Sequence, residues 1–396
     1  GPRIARCAEY LNSYAVAYVD GKRAGEMRYP GGELDLSASC HPGEKHVLSM
    51  LVVALPLKGV MMSYGDTNAA RQMKGSVARR GLCGDVYLVG TPAGARITDV
   101  KVATSVRKGE IAFDVELAAL KAGQQYTLSA QIKQGAGTFT SKPFQAADLK
   151  EGRISFTAKW KPGKLWDIHT PQNGYELDLT LLDASGKPRD AALPLRFGFR
   201  EFWIDGRDFY LNGSRIFLSG IPFDNAQVGA AWATYEGAKE SLTRLKSFGI
   251  NFVYTHNYGC EPGSHLSFAE ILRAADDVGM LVSLSQPHFG HYDWKAPDAD
   301  ADNGYARHAE FYVRAAGSHP SVVFYSMSHN ATGYSEDMNP DLIDGKYAER
   351  DQWSLNNVKL ALRAEALVTR LDPSRIVYHH SSGNLSSMHT SNFYPN

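Results

Sequence analysis

The second half of the chain repeats one unit, and that repeat limits the fold more than any other feature. A segment with apolar residues at three- and four-residue spacing is followed by a short, almost unbroken apolar run. YEGAKESLTRLKSFG (235–249) precedes INFVYTH (250–256), FAEILRAADDVG (268–279) precedes MLVSLSQ (280–286), YARHAEFYVRAAGSHP (305–320) precedes SVVFYSMS (321–328), and WSLNNVKLALRAEALVTRLDP (353–373) precedes RIVYHH (375–380). The first spacing is that of an amphipathic helix, and the glycines that close several of these segments suit a C-cap. The apolar runs suit strands buried on both faces of a parallel sheet. Repeated strand–helix units without a Gly-x-Gly-x-x-Gly fingerprint favour a (β/α)8 TIM barrel over a dinucleotide-binding fold.

Counting LSGIPF (218–223) as strand one, RIVYHH is strand five and SNFYPN (391–396) starts strand six. A closed barrel cannot leave two strands out, because its open edges would expose unpaired backbone. The chain is therefore expected to be truncated, with a C-terminal segment or a second fragment completing the barrel.

Upstream, residues 8–89 read as short alternating runs broken by Asp20-Gly21, Pro30-Gly31-Gly32 and Pro42-Gly43, and Asp-Gly between apolar runs is a hairpin signal. From 97 to 195, runs such as IAFDVELAAL, QYTLSAQIK and YELDLTLLD recur about every ten residues, the pattern of an immunoglobulin-like β-sandwich. The expected division is 1–90, 91–200 and 201–396. Lys plus Arg and Asp plus Glu stand at 42 each, which gives no electrostatic case for nucleic acid or an anionic membrane. No window approaches the roughly 20 apolar residues of a membrane span. The four cysteines lack metal or disulfide-framework spacing. Gly1-Pro2 has the form of a scar left by tag removal, so a leader is not legible and the compartment stays open.

Chemistry in such a barrel gathers at the carboxyl ends of its strands. Those positions hold Asp224 and Asn225, then His256, Asn257 and Tyr258, then Gln286, His288, His291 and Trp294, then His329 and Asn330, then His379 and His380, then Tyr394 and Asn396. Aromatic faces with amide and imidazole donors suit a sugar, whose C–H face stacks while its hydroxyls take directional hydrogen bonds. Neighbours on a strand alternate sides, so one of His379 and His380 is expected to pack rather than bind. His319, ahead of strand four, is expected to be structural. No His-x-His or similar metal spacing is present, and no cofactor is expected; a bound metal ion is the minority alternative.

Several stretches resemble glycoside hydrolase family two, the β-galactosidase and β-glucuronidase group. VDGKRAGEMRYPGGELDLSASCHPGEKHVLSMLVV (19–53) is similar to that family's opening sugar-binding jelly roll, which the chain enters late. GLCGDVYLVGTP (81–92) is similar to its interdomain link, with Cys83 and Gly84 in place of the usual Trp and Arg. KLWDIHTPQNGYELDLTLLD (164–183) and FGFREFWIDGRDFYLNGSRIFLSGIPFDN (197–225) are similar to the segments leading from sandwich to barrel, where Trp166 and Pro171 are expected to pack between domains. The resemblance implies a multidomain β plus α/β protein: jelly roll, immunoglobulin-like sandwich and barrel. It implies an exo-acting glycosidase on oligosaccharides from a polysaccharide, which would favour a periplasmic or secreted setting. VYTHNY (253–258) aligns with a family segment and assigns His256 and Asn257 to the site.

The strand-four motif departs from the family. Members read roughly H-P-S-V-V-x-W-S-L-G-N-E-S-G-Y, whose Glu is the acid/base; here the text is HPSVVFYSMSHNATGY (319–334). Aligned from the strand, Asn330 replaces the Glu and His329 the Asn; aligned from Gly333-Tyr334, Ala331 or Thr332 takes the place of the acid. A retaining mechanism needs two carboxyl groups about 5 Å apart, and Asn does not donate a proton usefully. His329, or Glu336 on the loop from 331 to 351, is the expected proton donor, with a nucleophile on strand seven. Two alternatives stay open: an inactive carbohydrate-binding protein on the same scaffold, and a histidine-based, metal-assisted sugar-processing enzyme.

Overall fold

The computed structural model describes residues 3–12, 14–29, 31–41, 43–53, 81–82, 85–133, 137–223, 234–255, 268–296, 299, 304–327 and 350–379, with the backbone at 383–385 and 389–390. Its first region is built of short antiparallel sheets. Arg3–Ala8 lies between Gly32–Asp35 and Val86–Thr91, and Tyr14–Val19 lies between Lys22–Arg28 and Leu48–Val53. The tight turn after Val19 holds both Asp20 (φ 51°) and Gly21 (φ 78°) in the left-handed region, as a type I′ hairpin requires. Ala8, Leu11, Ala15 and Met27 are buried together where these sheets meet.

The second region is a two-sheet sandwich. Glu110–Ala118 pairs with Arg96–Ser105 and Arg153–Lys159, while Tyr126–Ile132 and Gly174–Asp183 form the centre of the other sheet. Strict alternation along Glu110–Ala118 buries Ile111, Phe113, Val115 and Leu117 against Leu128, Ala130, Leu177, Leu179 and Leu181. Three edge strands, Gly137–Thr140, Pro188–Ala191 and Leu195–Gly198, are too short to show a period in the sequence.

A meander of Phe202–Asp205, Asp208–Leu211 and Ser214–Ile216 then leads to a parallel sheet. Its strands are β1 (Gly220–Pro222), β2 (Phe252–Tyr254), β3 (Leu281–Ser285), β4 (Val322–Met327) and β5 (Ile376–His379), adjacent in chain order and all parallel. The connecting helices are α1 (Tyr235–Ser247), α2 (Phe268–Val278), α3 (Tyr305–Ala316) and α4 (Gln352–Leu371). Thr234 and Asp351 cap α1 and α4 by accepting from the amides of Gly237 and Ser354. One sheet face, with Val253, Val282, Leu284, Tyr325, Met327 and Val377, packs on these helices. SNFYPN, the expected start of a sixth strand, lies outside the described residues.

Buried polar contacts join the sandwich to the amino-terminal end of this sheet. Arg200 donates to the carbonyls of Pro320 (2.9 Å) and Val322 (2.6 Å), and Arg375 also donates to that of Val322 (3.0 Å). Burial, with Arg375 beside it, pushes the Arg200 guanidinium down to about 9, so it stays charged at neutral pH. Burial pulls Asp372 up, but Arg375 at 2.7 Å and Lys101 outweigh it and hold the carboxyl well below the usual range. Trp166 is fully buried and donates to the carbonyl of Asp276 (3.1 Å), while His319 binds the Asp276 carboxylate (2.6 Å). Both Trp166 and His319 therefore act in this seam as packing residues.

Candidate functional site

The inner face of the parallel sheet changes character along its strands. At the amino-terminal end it is aromatic: Phe324 meets Phe202 (5.0 Å between ring centres), Phe252 (5.8 Å), Phe209 (6.1 Å) and Tyr378 (5.4 Å). Phe202 and Phe209 come from the meander, which thus closes this end against water. Two residues past Phe324 on β4, and at the facing positions of β3 and β5, the same face carries hydroxyls. Ser285 and Ser326 are both buried with their hydroxyls 3.0 Å apart, and the Ser285 amide donates to Thr255 Oγ1 (2.9 Å). The Ser285 hydroxyl also donates to the Thr255 carbonyl. Tyr378 pairs in register with Ser326, and burial pushes its phenol up to about 12, so it stays a neutral hydrogen-bonding group.

This hydroxyl layer lies beneath the carboxyl ends of β2 to β5. It offers neutral donors and acceptors and contains no acid, base or nucleophile. It escaped the reading of strand ends because serines inside apolar runs look like tolerated small residues. Part of the signal was in the spacing: SLS in β3 puts Ser283 and Ser285 at period two on one face.

The residues beyond this layer divide. His329, Asn330, Glu336, Asp224, Asn225, His256, Asn257, Tyr258, His380 and Tyr394 lie outside the described residues, as does the side chain of His291. His288 is half-buried; its Nδ1 accepts from the Gly290 amide (3.0 Å) and its ring stacks on Phe289 (4.9 Å), which fixes the start of the loop after β3. Gln286 is buried at the end of β3.

Two expected binding residues are placed elsewhere. His379 is 1 % exposed and binds Glu365 of α4 at 2.8 Å, on the same side of β5 as Val377. Alternation sends it to the helix layer, so the reading of His379 as a substrate contact is corrected. Trp294 is also buried in that layer. Its indole donates to the Phe289 carbonyl (2.8 Å) and Arg363 of α4 lies 5.0 Å over its ring, so it anchors the loop and offers no free face to a sugar. Among the described residues no group of three or more His, Cys, Asp or Glu is placed to hold a metal ion. No described helix is long and apolar enough to cross a membrane.

No protein-family model matches the chain. In sequence it is 27 % identical over 160 residues to a β-galactosidase of Arthrobacter sp. (strain B7), and 25 % identical over 177 residues to a β-glucuronidase of Paenibacillus borealis. These matches take in 38 % and 42 % of the chain but only 15 % and 28 % of the relatives. Among solved structures, a glycosyl hydrolase family 2 member from Bacteroides cellulosilyticus DSM 14838 aligns over 97 % of the chain and 48 % of its own, with a TM-score of 0.67 at 18 % identity. A family 2 β-galacturonidase from Eisenbergiella tayi aligns over 96 % and 61 %, with a TM-score of 0.66 at 17 % identity. Bacteroides uniformis β-glucuronidase 2 aligns over 96 % and 44 %, with a TM-score of 0.64 at 21 % identity. The fold is that of the multidomain family 2 glycoside hydrolases, and in sequence the chain is similar to part of a β-galactosidase and of a β-glucuronidase.

Proposed function

We propose that this chain belongs to a glycoside hydrolase of the family 2 type, exo-acting on oligosaccharides released from a polysaccharide, with an atypical general acid. The observation that carries the reading is the graded inner face of the parallel sheet. An aromatic plug seals one end, and a layer of neutral hydroxyls underlies the other, where a polyhydroxylated ligand would be met. The five parallel strands support a (β/α)8 barrel closed by strands outside the described residues. The antiparallel sheets and the two-sheet sandwich that precede them support a division into a jelly-roll-like region (1–90), a sandwich (91–200) and a catalytic region (201–396).

In this reading His329 or Glu336 gives a proton to the leaving oxygen, and Asn330 contacts the sugar beside the reacting carbon. Asp224, Asn225, His256, Asn257, Tyr258, His288, His291 and Tyr394 supply the directional contacts. The nucleophile is a carboxylate on strand seven. Imidazole suits the donor role because it carries a transferable proton near neutral pH. The substrate is neutral or uronic sugar at a non-reducing end, and no nucleic acid or membrane partner enters.

The test is a panel of aryl glycosides and oligosaccharides offered to the full-length protein, galactosides, glucuronides and galacturonides included. Turnover of at least one, lost in a His329→Ala or Glu336→Gln variant, supports the reading. Sugar binding without any turnover would replace it with a carbohydrate-binding protein on the same scaffold.

A further inference from the structure

A cleft of about 390 Å³ separates the first β region from the outer face of α3, on the opposite side of that helix from its sheet-packed residues Ala309, Tyr312, Val313 and Ala316. From α3 it is lined by Arg307, Glu310, Phe311 and Arg314, which at spacings of three, four and seven share one helix face. Glu26 and Arg28, on one face of a strand, and Glu33 line the other wall, with the ring of Tyr29 between.

The charges of this cleft compensate one another. Three guanidiniums face three carboxylates, and the pairs are largely made: Arg28–Glu26 at 2.9 Å, Arg314–Glu310 at 2.7 Å, and Glu33 with Arg3 at 2.8 Å. A cation, or an anion aimed at Arg28 or Arg314, would have to break a pair to enter. Unused hydrogen-bonding capacity remains on both sides of the ledger of donors and acceptors. Arg307 is exposed and has no hydrogen-bond partner among the described residues, and Arg28 donates through one nitrogen only among the described contacts. Glu310 receives both bonds from Arg314 on a single oxygen. A ligand that fits must therefore accept from a guanidinium fork and donate to a carboxylate at neighbouring positions, as a vicinal diol does. Phe311 and Tyr29 are the aromatic members of the lining, both half-buried. The volume lies in the range of small-ligand pockets.

We propose that this cleft is a second carbohydrate site, for a neutral oligosaccharide, distinct from the strand ends. The choice of a sugar among vicinal diols rests on the function proposed above; the diol chemistry rests on the cleft alone. The experiment is calorimetric or NMR titration of the full-length protein with neutral gluco-, galacto-, manno- and xylo-oligosaccharides, with a uronic acid as charged comparator. Arg307→Glu and Glu310→Gln are titrated beside the wild type, and a thermal unfolding scan checks that each is folded. Both substitutions are expected to weaken binding of one neutral class by about tenfold or more. Turnover of a small aryl glycoside, which fills only the strand-end site, is expected to be unchanged. The proposal is overturned if no neutral oligosaccharide binds, if both variants bind as the wild type does, or if the uronic acid is the preferred ligand. Absence of turnover with binding still sensitive to Arg307→Glu would remove the catalytic reading and leave this one standing.

Discussion

Protonating His308 should unfold the junction where the first β region meets the parallel sheet. The imidazole is half-buried on α3, with Nδ1 2.6 Å from the Tyr292 hydroxyl and its ring edge-on to Tyr29 at 4.5 Å. Burial, aided by the nearby Arg307 charge, lowers its pKa from 6.5 to about 4. The folded state thus holds the neutral ring while the unfolded chain takes up a proton between those values. Stability from this group is full above about pH 6.5 and is lost as the pH falls toward 4. Each pH unit of that gap is worth about 1.4 kcal/mol, so the whole is about 3 kcal/mol. A His308→Gln variant keeps a polar partner for Tyr292 but does not titrate. Urea unfolding of both proteins at several values between pH 7 and 4.5, followed by near-ultraviolet circular dichroism, gives the difference directly. The wild type should lose its advantage over the variant progressively as the pH falls, and the His308 ring protons should titrate near pH 4 by NMR. Parallel stability curves, or a ring titrating near 6.5, would refute the argument.

Three further substitutions probe the scaffold. Arg200→Ala removes two charged hydrogen bonds to the carbonyls of Pro320 and Val322, and should cost about 3 kcal/mol or more by denaturant unfolding, with increased protease cleavage between sandwich and sheet. Gly279→Ala puts a methyl 2.4 Å from the Ile168 carbonyl at φ 75°, so strain and clash together should cost at least about 2 kcal/mol by the same measurement. Phe324→Ala opens the aromatic plug between Phe202, Phe209 and Phe252 and should cost about 3–5 kcal/mol in a thermal scan.

The strand–helix order of the second half was legible because its signals are local and long. Each helix shows its period over several turns, and each buried strand is an apolar run no helix of that length would need. The short edge strands of the sandwich were not legible, since four residues carry no period and their pairing is set by distant partners. Candidate site residues fared unevenly for a related reason. A strand end can be found from sequence, but which of two neighbouring residues faces the ligand depends on the register of the strand. His379 illustrates this: the register of β5 puts it on the side of Val377, where it binds Glu365, fourteen positions away on α4. Trp294 looked like a sugar platform because indole rings often are, yet the partner that covers it, Arg363, lies on a helix far along the chain. The hydroxyl layer of Ser285 and Ser326 was passed over because serines in apolar runs look like tolerated small residues, and their meeting depends on how two strands are laid side by side.

The claim that proton donation has moved from the expected carboxylate of strand four is tested most directly by leaving-group dependence. A missing acid matters little when the leaving group departs unaided and much when it needs a proton. In the full-length protein, His329→Ala is predicted to lower kcat/KM by about 10²–10⁴ for alkyl glycosides while leaving dinitrophenyl glycosides nearly unaffected, or Glu336→Gln is predicted to do so if that residue is the donor. Equal losses on both kinds of substrate, or no loss in either variant, would contradict the account.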